Sequence, residues 1–288
     1  MRPQYIQRAF TALTLIASLS FAACKSDTPT PTPTPTPQPQ PVFPKPDVNP
    51  NATPYVTRVL EYLPAVGQFT NTLPEYEAGD TQEDMNRKAL EYLKDNQRSL
   101  VTLGGWGGYI VVGFDHTILN VPGKRDFRVL GNAFFGNANK EAYEGGSCEP
   151  GIIMVAYDAN RNGKPDEDEW YEIEGSAHVD HTKEPWYTLV KTKVPGADLN
   201  FYRDFEMTYH RPAKEPESKD GWGTYIRWED NKGNSGYKVK NQWHAQPYFP
   251  QWVKGDKLTF RGTRLPQNGY NQSTMCCISS ATAMPTTN

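Results

Sequence analysis

The densest chemical pattern in the chain is Asp158-Ala-Asn160-Arg-Asn162-Gly163-Lys164-Pro-Asp166-Glu-Asp168-Glu169. Oxygen-bearing residues fall at the first, third, fifth, ninth and twelfth positions and glycine at the sixth, the spacing of a loop that wraps a calcium ion. Asp158, Asn160 and Asn162 offer side-chain oxygens, Lys164 a backbone carbonyl, Asp166 a direct or water-bridged contact, and Glu169 a bidentate carboxylate; Asp168 is an alternative ligand. Calcium is a hard cation that takes such oxygens. The same residue types favour tight turns, so a turn that holds nothing is the plain alternative. Because Ile152–Tyr157 and Trp170–Ile173 read as strands on either side, the expectation is a calcium-clamped β-hairpin, with no opening switch.

Other candidates are weaker. Asp115-His116 reads as an acid/base pair or, more simply, a hydrogen-bonded structural pair. His178-Val-Asp-His181 places two imidazoles and a carboxylate within four residues, which suits a transition metal or merely a solvated loop. Glu149, before Pro150-Gly151, reads as a structural carboxylate. No nucleophile elbow, phosphate loop or dinucleotide fingerprint is present, so no catalytic constellation is assigned and a non-enzyme is expected. Trp222, Tyr225, Trp228, Trp243, Tyr248, Phe249 and Trp252 are interleaved with Asn231, Asn234, Asn241, Gln242 and His244. Aromatic faces stack on sugar C–H surfaces or flat macrocycles while amides bond polar edges, so Trp222, Trp228, Trp243 and Trp252 are the expected ligand contacts; core rings alternating along strands would give the same pattern.

The elements that must position these residues are mostly strands. Helix-like signals cover Tyr55–Leu63 and Thr81–Gln97, the second with Asp80-Thr81 as caps and Met85, Ala89, Leu90 and Leu93 on one side. After Leu100, short β-rich runs recur at 109–114, 127–130, 152–157, 170–173, 186–190, 205–209, 224–228, 237–239 and 258–261, bounded by Gly, Pro, Asn and Asp. The expected fold is mostly β, a β-sandwich or jelly-roll-like domain over 51–269 with one or two N-terminal helices.

A net charge of −3 provides no broad basic field for nucleic acid. Seven Trp and sixteen Tyr at a mean hydropathy of −0.71 suit an extracellular β-protein. The four cysteines form no disulfide framework: Cys276 and Cys277 are adjacent, and nothing supports bridging Cys148 to either.

Arg2 and Arg8 precede an apolar run from Ala9 to Ala23, the grammar of a secretory signal over residues 1–23. Phe21-Ala22-Ala23-Cys24 resembles the lipobox of bacterial lipoproteins, which implies a lipid on Cys24 as the mature N-terminus. Thr28–Pro41 alternates Thr-Pro and Gln-Pro, and Pro-rich sequence runs on to about residue 50. Proline at every second position removes donors and fixes φ, so 24–50 is expected to be a disordered stalk of polyproline II type, extending about 3.1 Å per residue. Lys25-Ser26-Asp27 resembles, weakly, the surface-export signals of Bacteroidetes lipoproteins.

Several runs taken together resemble a family of Bacteroidetes cell-surface lipoproteins catalogued as PKD-like or cell surface proteins. They are Gly104-Gly-Trp-Gly-Gly108 through Asp115-His116, Asn120-Val-Pro-Gly123, Asp126 to Phe134, Glu149-Pro-Gly151, the calcium-type loop with Trp170-Tyr-Glu, and Gln251-Trp252, within about residues 55 to 265. The resemblance implies an outer-membrane, cell-surface β-sandwich and carries no reaction. It also implies a neighbourhood of nutrient capture with a TonB-dependent transporter as partner, corrinoid uptake included. Cys148 departs from the pattern, as does the end of the chain. One permitted back-translation of 280–288, read two bases later, gives Gly-Tyr-Gly-Tyr-Ala-Asp-Asn-Gln, which looks like the family's continuation. Residues 270–288 are therefore expected to be a frameshifted tail, a point the gene's nucleotide sequence decides. The functional expectation is a non-catalytic surface lipoprotein capturing a glycan or other large nutrient. The alternatives are a corrinoid binder, an extracellular polysaccharide hydrolase, and a structural or adhesive surface protein.

Overall fold

A computed structural model describes residues 49–67, 73–95, 99–131, 134–135, 146–147, 151–175 and 177–266, all within one unit of the chain, Pro46–Asn288. The signal segment, Cys24, the stalk up to residue 48, Cys148 to Pro150, and the tail with Cys276 and Cys277 lie outside the described residues.

The fold is mostly β, as expected. Its centre is a four-stranded antiparallel sheet in the order β10-β7-β8-β9, built from β7 (Tyr202–His210), β8 (Ile226–Asp230), β9 (Ser235–Lys238) and β10 (Lys257–Arg264). Alternation decides its faces. Phe205 and Tyr209 of β7, Ile226 of β8, and Leu258 and Phe260 of β10 are buried on one side, whereas Glu206, His210, Arg227, Glu229 and Arg261 form ion pairs on the other. The apolar side packs with Ala65, Val66, Tyr225, Tyr248 and Phe249.

An antiparallel pair, β1 (Arg58–Leu63) with β2 (Tyr109–Gly113), delivers Ala65 and Val66 to that core. The glycines before β2 make the approach possible. A Cβ on Gly104 would sit 1.8 Å from the Ala65 carbonyl oxygen, and one on Gly107 would sit 2.3 Å from Phe260 Cβ; both residues have positive φ. Tyr209 donates its hydroxyl to the Trp106 carbonyl at 3.0 Å, satisfying a phenol whose burial raises its pKa. The Gly-Gly-Trp-Gly-Gly run is thus a packing device.

Helix α1 (Gln82–Leu93) starts where the sequence places it, with Met85 and Ala89 buried. It stops short of Gln97, because Lys94 is extended and Asp95 turns to a φ of 57°. Thr81 caps it: the Asp84 amide donates to Thr81 Oγ1 at 3.3 Å, and Asp84 Oδ2 accepts from the Thr81 amide at 2.9 Å and its hydroxyl at 2.7 Å. These two donors, with the Arg87 guanidinium, hold the Asp84 carboxyl at about 2. A depressed folded value stabilises the fold above the ordinary carboxylate range and ceases to do so as pH falls toward 2. An NMR titration of Asp84 should therefore show a midpoint near 2, and Thr81→Ala should raise it only part of the way to the ordinary carboxylate range, because the residue-81 amide and Arg87 still reach it, while costing about 1 kcal/mol. An unmoved midpoint would contradict this cap.

Three local expectations are corrected. Tyr55–Leu63 is not helical: its end forms β1, where pairing with β2 outweighs the local signal, and Asn86 of α1 accepts from the Tyr62 amide at 2.8 Å and donates to the Leu60 carbonyl at 2.9 Å. Trp186–Val190 is not a strand but part of α2 (Pro185–Lys193), where Pro185 supplies a preset φ at the first turn. Phe127–Leu130 joins no strand and is exposed. The pair β3 (Phe134–Phe135) with β4 (Gly146–Ser147), and the hairpin β5 (Met154–Ala156) with β6 (Trp170–Glu172), complete the strands among the described residues.

Candidate functional site

Beside the β8–β9 end of the sheet, an open groove of about 320 Å³ is lined by Glu215, Glu217, Trp222, Lys240, Asn241 and Gln242, with Pro216, Ala245 and Pro247 closing its walls. Trp222 sits in the 3-10 turn Lys219–Thr224. Its carbonyl accepts from the Lys240 amide at 3.0 Å, which ties that turn to the opposite wall. Asn241 folds this wall back on itself: its side-chain oxygen accepts from the amides of Trp243 (2.9 Å) and His244 (3.1 Å). Trp243, on the same loop, is 73% exposed.

The floor is a connected set of hydrogen bonds. The Tyr248 hydroxyl accepts from the Asn241 amide at 3.0 Å, and the Tyr225 hydroxyl accepts from the Tyr248 amide at 3.1 Å. The Tyr225 hydroxyl in turn lies 2.7 and 2.5 Å from the two Glu215 oxygens. Lys240 Nζ donates to Glu215 at 3.1 Å and to the Ala245 carbonyl at 3.3 Å, and it lies 4.8 Å from the Tyr225 ring centre and 5.4 Å from that of Tyr248. Burial, and then the Glu215 carboxylate, raise the Tyr225 pKa, so this phenol is a neutral donor.

Of the four tryptophans expected to meet a ligand, Trp222 lines the groove and Trp243 stands on its bordering loop. Trp228 instead packs on the core, close enough that a Cβ on Gly236 would lie 3.0 Å from its ring. Trp252 stacks on Tyr62 with ring centres 6.0 Å apart and donates to Gln82 Oε1 at 3.1 Å. Sequence reasoning missed Glu215, Glu217 and Lys240. Glu215 and Glu217 lie in the polar run Lys214-Glu-Pro-Glu-Ser218, and no local spacing signals that Tyr225, ten residues on, will fold over the first of them.

The Asp158–Glu169 loop connects β5 to β6, as expected, and its oxygens are fixed by its own backbone. Asp158 accepts from the amides of Asn162 (2.9 Å) and Gly163 (2.8 Å), and Glu169 from those of Ala159 and Asp166 (2.8 Å each). Asn160 and Asn162 both donate side-chain N–H to Asp166 Oδ2, at 2.5 and 2.8 Å, so three of the expected ligands meet across the loop. The side-chain oxygens of Asn160 and Asn162 accept from the amides of Asn162 (2.9 Å) and Lys164 (3.0 Å), so the loop backbone orients both side chains. Gly163 has the positive φ (87°) that the sixth position requires. The donor set of carboxylates, amides and backbone carbonyl fits calcium. Among the described residues, no three His, Cys, Asp or Glu side chains by themselves form a metal-holding group.

Asp115 and His116 are structural in their contacts: Asp115 Oδ1 lies 2.7 Å from His116 Nδ1, and Oδ2 accepts from the Thr53 amide at 3.1 Å. These two contacts, the imidazole first, lower the Asp115 pKa. His178 and His181 are used separately. His178 Nε2 lies 3.2 Å from Glu172, whereas His181 packs 4.3 Å from the Phe201 ring centre. In comparisons with known proteins, no family model matches the chain and no curated relative does.

Proposed function

We propose that the chain is a cell-surface lipoprotein of Bacteroidetes type, anchored in the outer membrane through Cys24, whose β-domain binds a glycan without catalysis and passes it to a TonB-dependent transporter. The observation that carries the binding half is the groove, where an indole, two amides and two carboxylates converge. That combination suits a sugar, which offers C–H faces to an aromatic ring and hydroxyls to polar side chains. The groove volume, at the lower end of the range for ligand pockets, favours one or two sugar rings over a corrin macrocycle. The anchor rests on the signal grammar and lipobox of residues 1–24. Among the described residues no helix is long and apolar enough to cross a membrane.

Calcium has a supporting role in this reading. Held by Asp158, Asn160, Asn162, the Lys164 carbonyl, Asp166 and Glu169, it clamps the long turn between β5 and β6.

Calorimetric titration of the intact chain with soluble neutral oligosaccharides tests the binding half. Saturable binding without release of shorter sugars is expected. Release of cleavage products would overturn the non-catalytic part, and binding of cobalamin alone would replace the glycan with a corrinoid.

A further inference from the structure

We infer that Glu215 is the specificity-determining contact of the groove, a carboxylate aimed at ligand hydroxyls and held there by Tyr225 and Lys240 as positioning residues. The inference rests on the glycan reading and narrows it to neutral, hydroxyl-rich sugars.

An ionised carboxylate offers about four acceptor positions. Tyr225 and Lys240 supply two donors from the floor, at 2.5 to 3.1 Å. Glu215 keeps 43% of its side chain exposed and lines the groove, so its remaining lone pairs face the space a ligand enters. Two donors from buried neighbours fix the plane of the carboxylate, and an acceptor held in place before binding loses little rotamer freedom on contact. A vicinal pair of sugar hydroxyls can then donate to it, with Trp222 covering the apolar face of the same ring.

Of the cations near the groove, Lys219 lies 5.8 Å from the Trp222 ring centre, and Lys240 is turned to Glu215. Lys240 is only 10% exposed, and its ammonium is held by Glu215, by the Ala245 carbonyl and over two tyrosine rings. It therefore neutralises and orients Glu215 and does not reach out to an acidic ligand. Glu217, 82% exposed on the rim, adds a second negative group, paired with Lys214 at 3.2 Å. A uronate carboxylate placed against Glu215 can only accept and finds no donor in that side chain, whereas the hydroxyls of a neutral ring donate to it.

The test compares the intact chain with Glu215→Gln and Tyr225→Phe, by calorimetry, against neutral gluco-, manno- and xylo-oligosaccharides and against oligogalacturonides, with thermal melts to show that each variant folds. The wild type should bind at least one neutral series and bind oligogalacturonides at least tenfold more weakly. Glu215→Gln, near-isosteric but uncharged, should bind the neutral sugar about tenfold more weakly, the size of one charge-assisted hydrogen bond, and should narrow the neutral-to-uronate gap. Tyr225→Phe should weaken neutral binding with that gap retained. A purely structural Glu215 would weaken both ligand series in parallel. That result, or unchanged affinity in Glu215→Gln, overturns the inference and leaves the glycan reading standing. A wild-type chain that binds none of these sugars overturns both.

Discussion

Gly104→Ala will destabilise the domain by about 3 kcal/mol or more, whereas Gly123→Ala will cost only about 1 kcal/mol. The two glycines share nearly the same backbone, with φ of 72° and 74°, and so the same penalty for a side chain in the left-handed region. They differ in surroundings. Around Gly123 nothing lies within 4 Å of the added methyl, while at Gly104 the methyl would stand 1.8 Å from the Ala65 carbonyl oxygen and 2.8 Å from its carbon. Backbone cannot swing aside as a flexible side chain would. Relief requires parting the bridge between Ala65 and Gly104, and with it the Ala65 amide bond to Leu103 (2.9 Å) and the Gly105 amide bond to Ala65 (3.3 Å). Val66 and Ala65 would then leave the core beside Tyr209 and Phe260. Urea unfolding of the two variants measures the contrast, and equal losses would show that the Gly104 loop is not packed as described.

Calcium should raise the melting temperature of the intact chain by roughly 5–10 °C when present at about 100 times its dissociation constant, the effect of about 2.7 kcal/mol of linkage on a domain of this size. Between Asp158 and Glu169 there are five carboxylates against Arg161 and Lys164, so without a cation the loop carries its own repulsion. Asp158→Ala removes an acceptor that also fixes the Asn162 and Gly163 amides, and Glu169→Gln removes the bidentate carboxylate while keeping its shape. Both variants should lose the calcium-induced shift, and Glu169→Gln, which leaves one of the Ala159 and Asp166 amides facing an NH2 group, should also melt somewhat below the calcium-free wild type. Magnesium, which demands a smaller and more rigid octahedral shell, should give a smaller shift. A melting temperature indifferent to millimolar calcium would remove the clamp from the account and leave an Asn/Gly/Asp-rich turn.

Periodicity made the central sheet legible because β7, β8 and β10 alternate in register with one buried face, and a period of two survives in any tertiary setting. Helix α1 was legible for a similar reason, its cap and buried stripe both being local. Strand β1 was not, because its pairing partner lies some fifty residues away and its own composition suits a helix as well. Helix α2 misled because Trp186 to Val190 is β-prone, and the Pro185 that starts it also reads as a strand boundary. Of the four tryptophans in the aromatic-rich stretch, Trp222 lines the groove and Trp243 stands on its bordering loop, while the other two pack elsewhere. Trp228 and Trp252 have the same composition around them as Trp222, and only the folded chain separates packing from lining. Glu215 was not legible because its place in the groove arises from contacts with Tyr225 and Lys240 that no local spacing signals.

The claim that the groove is a sugar site is tested most directly by calorimetry with the tightest-binding neutral oligosaccharide on two tryptophan variants. Trp222→Ala should weaken binding tenfold or more, a loss of about 1.4 kcal/mol or greater. Trp252→Phe, which keeps the stack on Tyr62 and gives up only the bond to Gln82, should bind as the wild type does. Wild-type affinity in Trp222→Ala, with both variants folded, would contradict the account.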